Sequence, residues 1–286
     1  MPMNVNVFES LSLCTTRIEC VGLDGNKSSG TGFFVHLLED SKVHIPVVVT
    51  NKHVIEHITS GRLTVSTSVK KGQTEVGHHQ TVCFSESDWI LHPDSSVDLA
   101  ALPLANAWAQ FQKLGIKPHY APLDKNLVWS VDKLKTLAAL EEVIMIGYPN
   151  GLWDSANNRP IFRKGITATP VYIYYEGKKE FVIDMACFPG SSGSPVFLVN
   201  SGGYMDNNGG LHIGGDRLIF FGVLYAGPIQ SIEGEIKVAP IPTTNNLISV
   251  SNVMINLGYC INAERVFEFE EIFKSLLAAN KQQTHS

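Results

Sequence analysis

Ser191 and Ser192 lie between Gly190 and Gly193 in FPGSSGSPVF, residues 188 to 197, and Pro195 leads out of this turn into an apolar run. A turn of this kind can expose a hydroxyl as a nucleophile and aim backbone N–H groups at a developing oxyanion. Glycine permits the strained backbone and the close approach to substrate that such a turn needs. The same composition also makes an ordinary hairpin turn. TNKHVIEH, residues 50 to 57, holds two further chemistries. His53, Glu56 and His57 spell H-x-x-E-H; on a helix the two histidines would share a face and could grip a metal, with Glu56 as base. Alternatively, His53 stands alone at the tip of the run IPVVVT, where a strand could present it as a general base.

A zinc site needs a third protein ligand. Neither His78 and His79 nor the remaining carboxylates lie on a helix that could supply one, and zinc leaves residues 188 to 197 unexplained. The sequence therefore predicts no metal, with Glu56 and His57 on the exposed part of a one-turn helix.

The elements that must position these residues read as two groups of strands. GTGFFVHL, HIPVVVTN, GRLTVSTSV, QTVCFSESDWIL and VDLAALPL follow one another at the close spacing of a β-barrel. NAWAQFQKLG and SVDKLKTLAALEEV then have helical spacing of apolar residues. Strands resume with EVIMIGYP, KGITATPVYIYYE, KEFVIDMAC, GSPVFLVN, LIFFGVLYAG and NLGYCINA. NSGGYMDNNGGLHIGG and GPIQSIEGEIKVAPIPTTNN read as long loops, and AERVFEFEEIFKSLLAAN as an amphipathic helix docked on the second group.

In this order the motifs resemble the chymotrypsin-fold serine peptidases, whose nucleophile turn is G-[DN]-S-G-[GS]-P. The resemblance is closest to their disulfide-free bacterial branch, the HtrA and glutamyl-endopeptidase-like trypsins. GTGFFV resembles the strand ahead of the catalytic His, VVVTNKHVI the strand and base, and SVDLAALPL the strand that opens with the orienting Asp. IMIGYPNG matches the G-x-P-x-G strand of the second barrel, DMACFPGSSGSP the nucleophile segment, and NLGYCINA the pocket-lining strand. The likeness runs from about Ser29 to the final helix.

The resemblance implies an all-β fold of two six-stranded antiparallel β-barrels with a helical linker and a C-terminal helix. The first barrel would span residues 1–104, the linker 105–138, the second barrel 139–262 and the helix and tail 263–286. It implies a serine endopeptidase with Ser192 as nucleophile, His53 as general base and Asp98 fixing the imidazole. The N–H groups of Gly190 and Ser192 would form the oxyanion hole. Asp88 and Asp94 lack the following LAAL strand and read as solvated loop carboxylates. Alignment on Ser192 puts the base of the substrate pocket near Ala186, with Tyr225, Ala226 and Gly227 on one wall and Gly258 on the other. No carboxylate or cation is expected there, so an uncharged, small to medium P1 residue is implied. Val54 stands where secreted trypsins carry a Cys. Ser191 replaces the Asp that pairs with a freed N-terminus, so the chain is expected to be competent without trimming.

Composition limits the alternatives. A net charge of -5 without a basic run gives no footprint for nucleic acid, and no apolar stretch reaches membrane-spanning length. The N-terminus does not read as a secretory signal, and five scattered cysteines make a poor disulfide framework. A reducing, cytoplasmic setting is expected, with a protein or peptide as partner, no cofactor and no PDZ-like domain. A trypsin-like scaffold that binds without cutting is the competing function.

Overall fold

The computed structural model describes residues 7–38, 44–68, 78–207, 209–235 and 248–283. After α1 (Val7–Leu11) come β1 (Thr15–Gly22), β2 (Lys27–Leu37), β3 (Ile45–Thr50), α2 (Lys52–Ile55), β4 (Ile58–Ser68) and β5 (His79–Phe84). β6 (Ile90–Leu91), β7 (Ala100–Pro103), α3 (Ala105–Lys113), β8 (Lys117–Pro118) and α4 (Val131–Leu134) follow. The second half contains β9 (Glu142–Gly147), β10 (Ile161–Thr167), β11 (Glu180–Asp184), β12 (Pro195–Asn200), β13 (Gly203–Met205), β14 (Leu211–Ile213) and β15 (Arg217–Ala226). It ends with β16 (Ile229–Glu235), β17 (Ile248–Met254), β18 (Leu257–Asn262), α5 (Glu264–Phe267) and α6 (Phe269–Gln283).

The N-terminal sheet runs β5-β4-β1-β2-β3-β7-β6, with β8 also on β4. The C-terminal strands close a barrel, β10-β11-β18-β15-β12-β9. Strands normally alternate apolar and polar, yet VVV in β3 and LIFF in β15 are apolar at every position. The reason is that both of their faces are buried. Val48, Phe34, Ala100 and Leu102 point into a core inside the N-terminal sheet. Their neighbours Val47, Val49, Phe33, Val35, Leu99 and Ala101 point into a second core, which also takes Ile146, Phe197 and Phe220 from the barrel and Val266, Phe267 and Phe269 from the C-terminal helices. On β12, β15 and β18 the alternate side chains Val196, Leu198, Ile219, Phe221 and Cys260 fill the barrel interior. The period-two geometry of a strand therefore feeds three cores, and the middle one binds sheet, barrel and terminal helices together.

Several elements differ from the sequence expectation. The C-terminal barrel has the six strands expected. The N-terminal sheet has eight, and its ends, β5 and β6, do not pair with each other among the described residues. β6 is only two residues long, and just before it Trp89 meets Phe84, at the end of β5, edge-to-face at 5.2 Å. The helix expected over SVDKLKTLAALEEV is confined to α4, because Leu137 turns into the barrel core and β9 begins at Glu142. Of the two stretches read as loops, the first contains the hairpin β13–β14 and the second opens with β16, which pairs with β17 beyond its end; residues 236–247 lie outside the described residues.

The shared core carries a stability prediction. Phe220 contacts Phe33 of the sheet at 5.6 Å and Phe197 of the barrel at 5.5 Å between ring centroids. Phe220→Ala should cost about 3–5 kcal/mol in urea unfolding. Loss should remain one transition, since one core serves both halves; two separated transitions in the parent protein would contradict the shared core.

Candidate active site

β3 and β7 pair antiparallel with Thr50 opposite Ala100. Residues just after Thr50 and just before Ala100 must therefore emerge at the same end of the sheet, which places His53 beside Asp98. His53 Nδ1 lies 2.6 Å from Asp98 Oδ2, and the His53 backbone N–H donates to Asp98 Oδ1 at 3.2 Å. The buried Asn51 amide donates to the Asp98 carbonyl at 2.8 Å and fixes that backbone as well. His53 stays 45% exposed at its side chain, so its second ring nitrogen can meet a ligand. Glu56 caps the short α2 in an extended conformation and His57 has φ 59°, so both lie beyond the helix and do not share a helical face with His53.

The other candidate carboxylates are committed elsewhere. Asp88 accepts from the N–H and hydroxyl of Ser85. The Ser96 hydroxyl and N–H, and then Arg265, hold the Asp94 carboxyl down at about 2. Arg265 also ion-pairs with Glu268, which lies 3.3 Å from the buried His92 ring. The start of the C-terminal helices thus clamps residues 92 to 94, just ahead of Asp98.

Ser192 sits half-buried in a turn whose glycines are structurally required. Gly190 and Gly193 have φ 84° and 86°. A side chain on Gly190 would meet the Tyr148 carbonyl at 2.6 Å, and one on Gly193 the Thr31 carbonyl at 1.9 Å. The Asn150 N–H donates to the Pro189 carbonyl. In a trans peptide the following N–H points the opposite way, so the Gly190 N–H faces out of the loop. The Ser191 carbonyl is taken by the Ser194 N–H, which turns the Ser192 N–H outward in the same manner. Neither the Gly190 nor the Ser192 N–H donates to a protein group among the described residues, and two free donors are thereby presented beside the Ser192 hydroxyl. The His53 ring and the Ser192 hydroxyl share no hydrogen bond among the described residues; such bonds commonly tighten only when substrate binds.

Thr31 on β2 joins the two halves of the site, and in the sequence it stands only as one residue of the GTGFFV strand. Its hydroxyl donates to the Gly190 carbonyl at 3.0 Å and accepts from the Tyr148 N–H at 3.1 Å and the Ser194 hydroxyl at 3.2 Å. Its N–H donates to the Ser192 carbonyl at 2.9 Å, and its carbonyl accepts from Thr50, which ends the strand before His53.

The expected pocket residues are only partly assembled. Ala186 is half-buried beside Cys187. A methyl on Gly258 would touch Cys187 Sγ at 2.6 Å, and one on Gly227 would lie 3.8 Å from Cys187 Cβ, so these two glycines flank the Cys187 thiol. Ala226 is half-buried at the end of β15, opposite Tyr259. Tyr225 does not join them: its hydroxyl donates to Glu180 at 2.8 Å and its ring packs on the central core. Burial pushes the Cys187 thiol up to about 11, partly opposed by the nearby Arg163, whose guanidinium stacks 4.8 Å above the Phe188 ring. Sequence reasoning missed both Cys187 and Arg163. The Gly–Cys contact arises between distant strands, and Arg163 comes from β10, outside any landmark.

The family described as "Trypsin-like peptidase domain" matches residues 30–204, more than half of the chain. No curated protein matches. Among solved structures, the chain is similar to the active form of the Rv3671c protease from M. tuberculosis, with 15% identity over 92% of this chain and 82% of that one, at a TM-score of 0.44. It is similar to a serine endoprotease from Yersinia pestis, with 13% identity over 94% of this chain and 66% of that one, at a TM-score of 0.45. For the thermostable serine protease AL20 from an extremophilic microorganism the identity is 13% over 88% of this chain and 92% of that one, at a TM-score of 0.45.

Thr31→Val keeps the side-chain shape but strands the Tyr148 N–H and the Ser194 hydroxyl. It should lower stability by about 1–3 kcal/mol in denaturant unfolding, whereas Thr31→Ser should retain most of it. Equal midpoints for Thr31→Val and the parent would mean that the hydroxyl joins nothing of consequence.

Proposed function

The chain belongs to the trypsin-like peptidase family and is a serine endopeptidase, and we propose that His53, Asp98 and Ser192 are its catalytic triad. The observation that carries this assignment is the 2.6 Å contact between His53 Nδ1 and Asp98 Oδ2, beside a turn whose two outward N–H groups have no protein acceptor among the described residues. With Nδ1–H held by Asp98, Nε2 is the basic nitrogen left for the serine. It takes the Ser192 proton as Oγ attacks the scissile carbonyl. The oxyanion accepts from the Gly190 and Ser192 N–H groups. Nε2 then gives its proton to the leaving amine, and water enters by the same route to free the acyl-enzyme.

The Cys187 recess supports an uncharged P1 residue, because a buried neutral thiol between Gly227 and Gly258 offers no counter-charge. The N-terminal sheet is read as the first of two barrels, residues 1–104, and 139–262 as the second, with the nucleophile turn meeting the base across their junction. A cytoplasmic setting of bacterial type belongs to the same proposal and is supported by the absence of disulfides at Cys14, Cys20, Cys83, Cys187 and Cys260.

A fluorophosphonate should label Ser192 irrespective of chelators and should not label His53→Ala protein. Asp98→Asn should fold but lose about 10⁴-fold in turnover. Activity removed by EDTA and indifferent to the fluorophosphonate would sink the assignment. Mass-spectrometric mapping of cleavage products should give Val, Ala or Leu before the cut, with modest discrimination of about 10- to 200-fold per methylene. A dominant Glu or Asp at that position would instead mean that Arg163 reaches the recess.

A further inference from the structure

The Ser192 loop has a second flank that the triad does not use. An open cleft of about 540 Å³ is lined by Asn150 and Gly151 of the barrel and by Arg17, Glu19, Lys27 and Arg62 of the N-terminal sheet. It adjoins the nucleophile turn, since the Asn150 N–H is bonded to the Pro189 carbonyl. β2 ties it to the same turn, running from Lys27 in the cleft to Thr31, whose N–H holds the Ser192 carbonyl. Cys187, against Gly227 and Gly258, follows the expected pocket position Ala186 and is not among the residues that line this cleft. A peptide that crosses Ser192 with its P1 side chain on the Ala186–Cys187 side would lay the residues after the scissile bond in this cleft.

The cleft is cationic in a chain whose net charge is -5. Arg17 and Arg62 both pair with Glu19, at 2.6 and 2.7 Å, so one carboxylate serves two guanidinium groups. Lys27 adds an exposed ammonium. Arg17 is held in place by Trp153, whose ring lies 5.4 Å from its guanidinium carbon, and its buried Nε has no acceptor among the described residues. Trp153 belongs to the segment following IMIGYPNG, which reaches onto the N-terminal sheet, where the Asn158 amide donates to Ser66 at 2.9 Å. That segment therefore braces Arg17, while Asn150 and Gly151 before it line the cleft itself. We infer that this cleft selects substrates carrying Asp or Glu in the few residues after the scissile bond, with Arg62 and Lys27 as the specificity-determining cations. This inference rests on the peptidase assignment of Ser192.

The test uses peptides with one uncharged P1 residue and Glu, Gln or Lys at the second and third positions after the cut. They are compared by kcat/KM on the parent enzyme and by fluorescence anisotropy on Ser192→Ala protein. Glu should exceed Lys by about fivefold or more in both measurements, the scale of a few exposed charge pairs. The gap should narrow in about 0.5 M salt. Arg62→Glu combined with Lys27→Glu should reverse the order, while hydrolysis of an acyl ester with no residue beyond the cut stays at the parental rate. Equal values for the Glu and Lys peptides in both measurements overturn the inference, as does a preference that the double variant leaves unchanged. If Ser192 is unreactive but anisotropy still favours Glu and reverses in the variant, the cleft stands and the peptidase reading fails.

Discussion

One hydroxyl, that of Thr31, ties the strand ahead of the base to the loop that carries the nucleophile. A hydroxyl has one proton and two lone pairs, and Thr31 uses all three, on Gly190, Tyr148 and Ser194. It is fully buried, so each of those partners would be costly to leave unmet. Its backbone extends the constraint in both directions, holding the Ser192 carbonyl through its N–H and Thr50 through its carbonyl. The spacing between His53 and Ser192 is thus set by short bonds through one residue. Gly193 is required for the same reason, since any side chain there would collide with the Thr31 carbonyl.

Around that point the structure over-determines the Asp. The register of β3 against β7 brings Asp98 to His53, Asn51 fixes its backbone, and Arg265 and Glu268 brace the preceding segment from the C-terminal helices. Rigid support of this kind keeps a base and its orienting carboxylate within the narrow tolerances that proton transfer needs. The central core makes that support durable, because sheet, barrel and terminal helices cannot separate without exposing Phe33, Phe197, Phe220 and Phe269 together.

The strands were legible because apolar runs and glycine turns are local signals, and the candidates His53, Asp98 and Ser192 were read from those same landmarks. What was not legible depends on contacts between distant residues. The open N-terminal sheet follows from the two-residue β6, and the short α4 from the pull of Leu137 into the barrel. Tyr225 was expected in the pocket wall, but a hydrogen bond to Glu180, 45 residues away, draws it off. Thr31 looks like any strand threonine until its three partners are seen. A β-strand pattern specifies which face a residue occupies, and not which polar atom waits across it.

Catalysis by this site requires the two outward N–H groups and Ser192 to act on one tetrahedral centre. A crystal structure of the protein with a peptide boronic acid bearing an uncharged P1 side chain measures this directly. Boron should be bonded to Ser192 Oγ, with one boron oxygen about 2.7–3.1 Å from both the Gly190 and Ser192 nitrogens and His53 Nε2 within hydrogen-bond reach of the adduct. A boron bound to another residue, or an adduct on Ser192 whose oxygen misses both nitrogens, would contradict it.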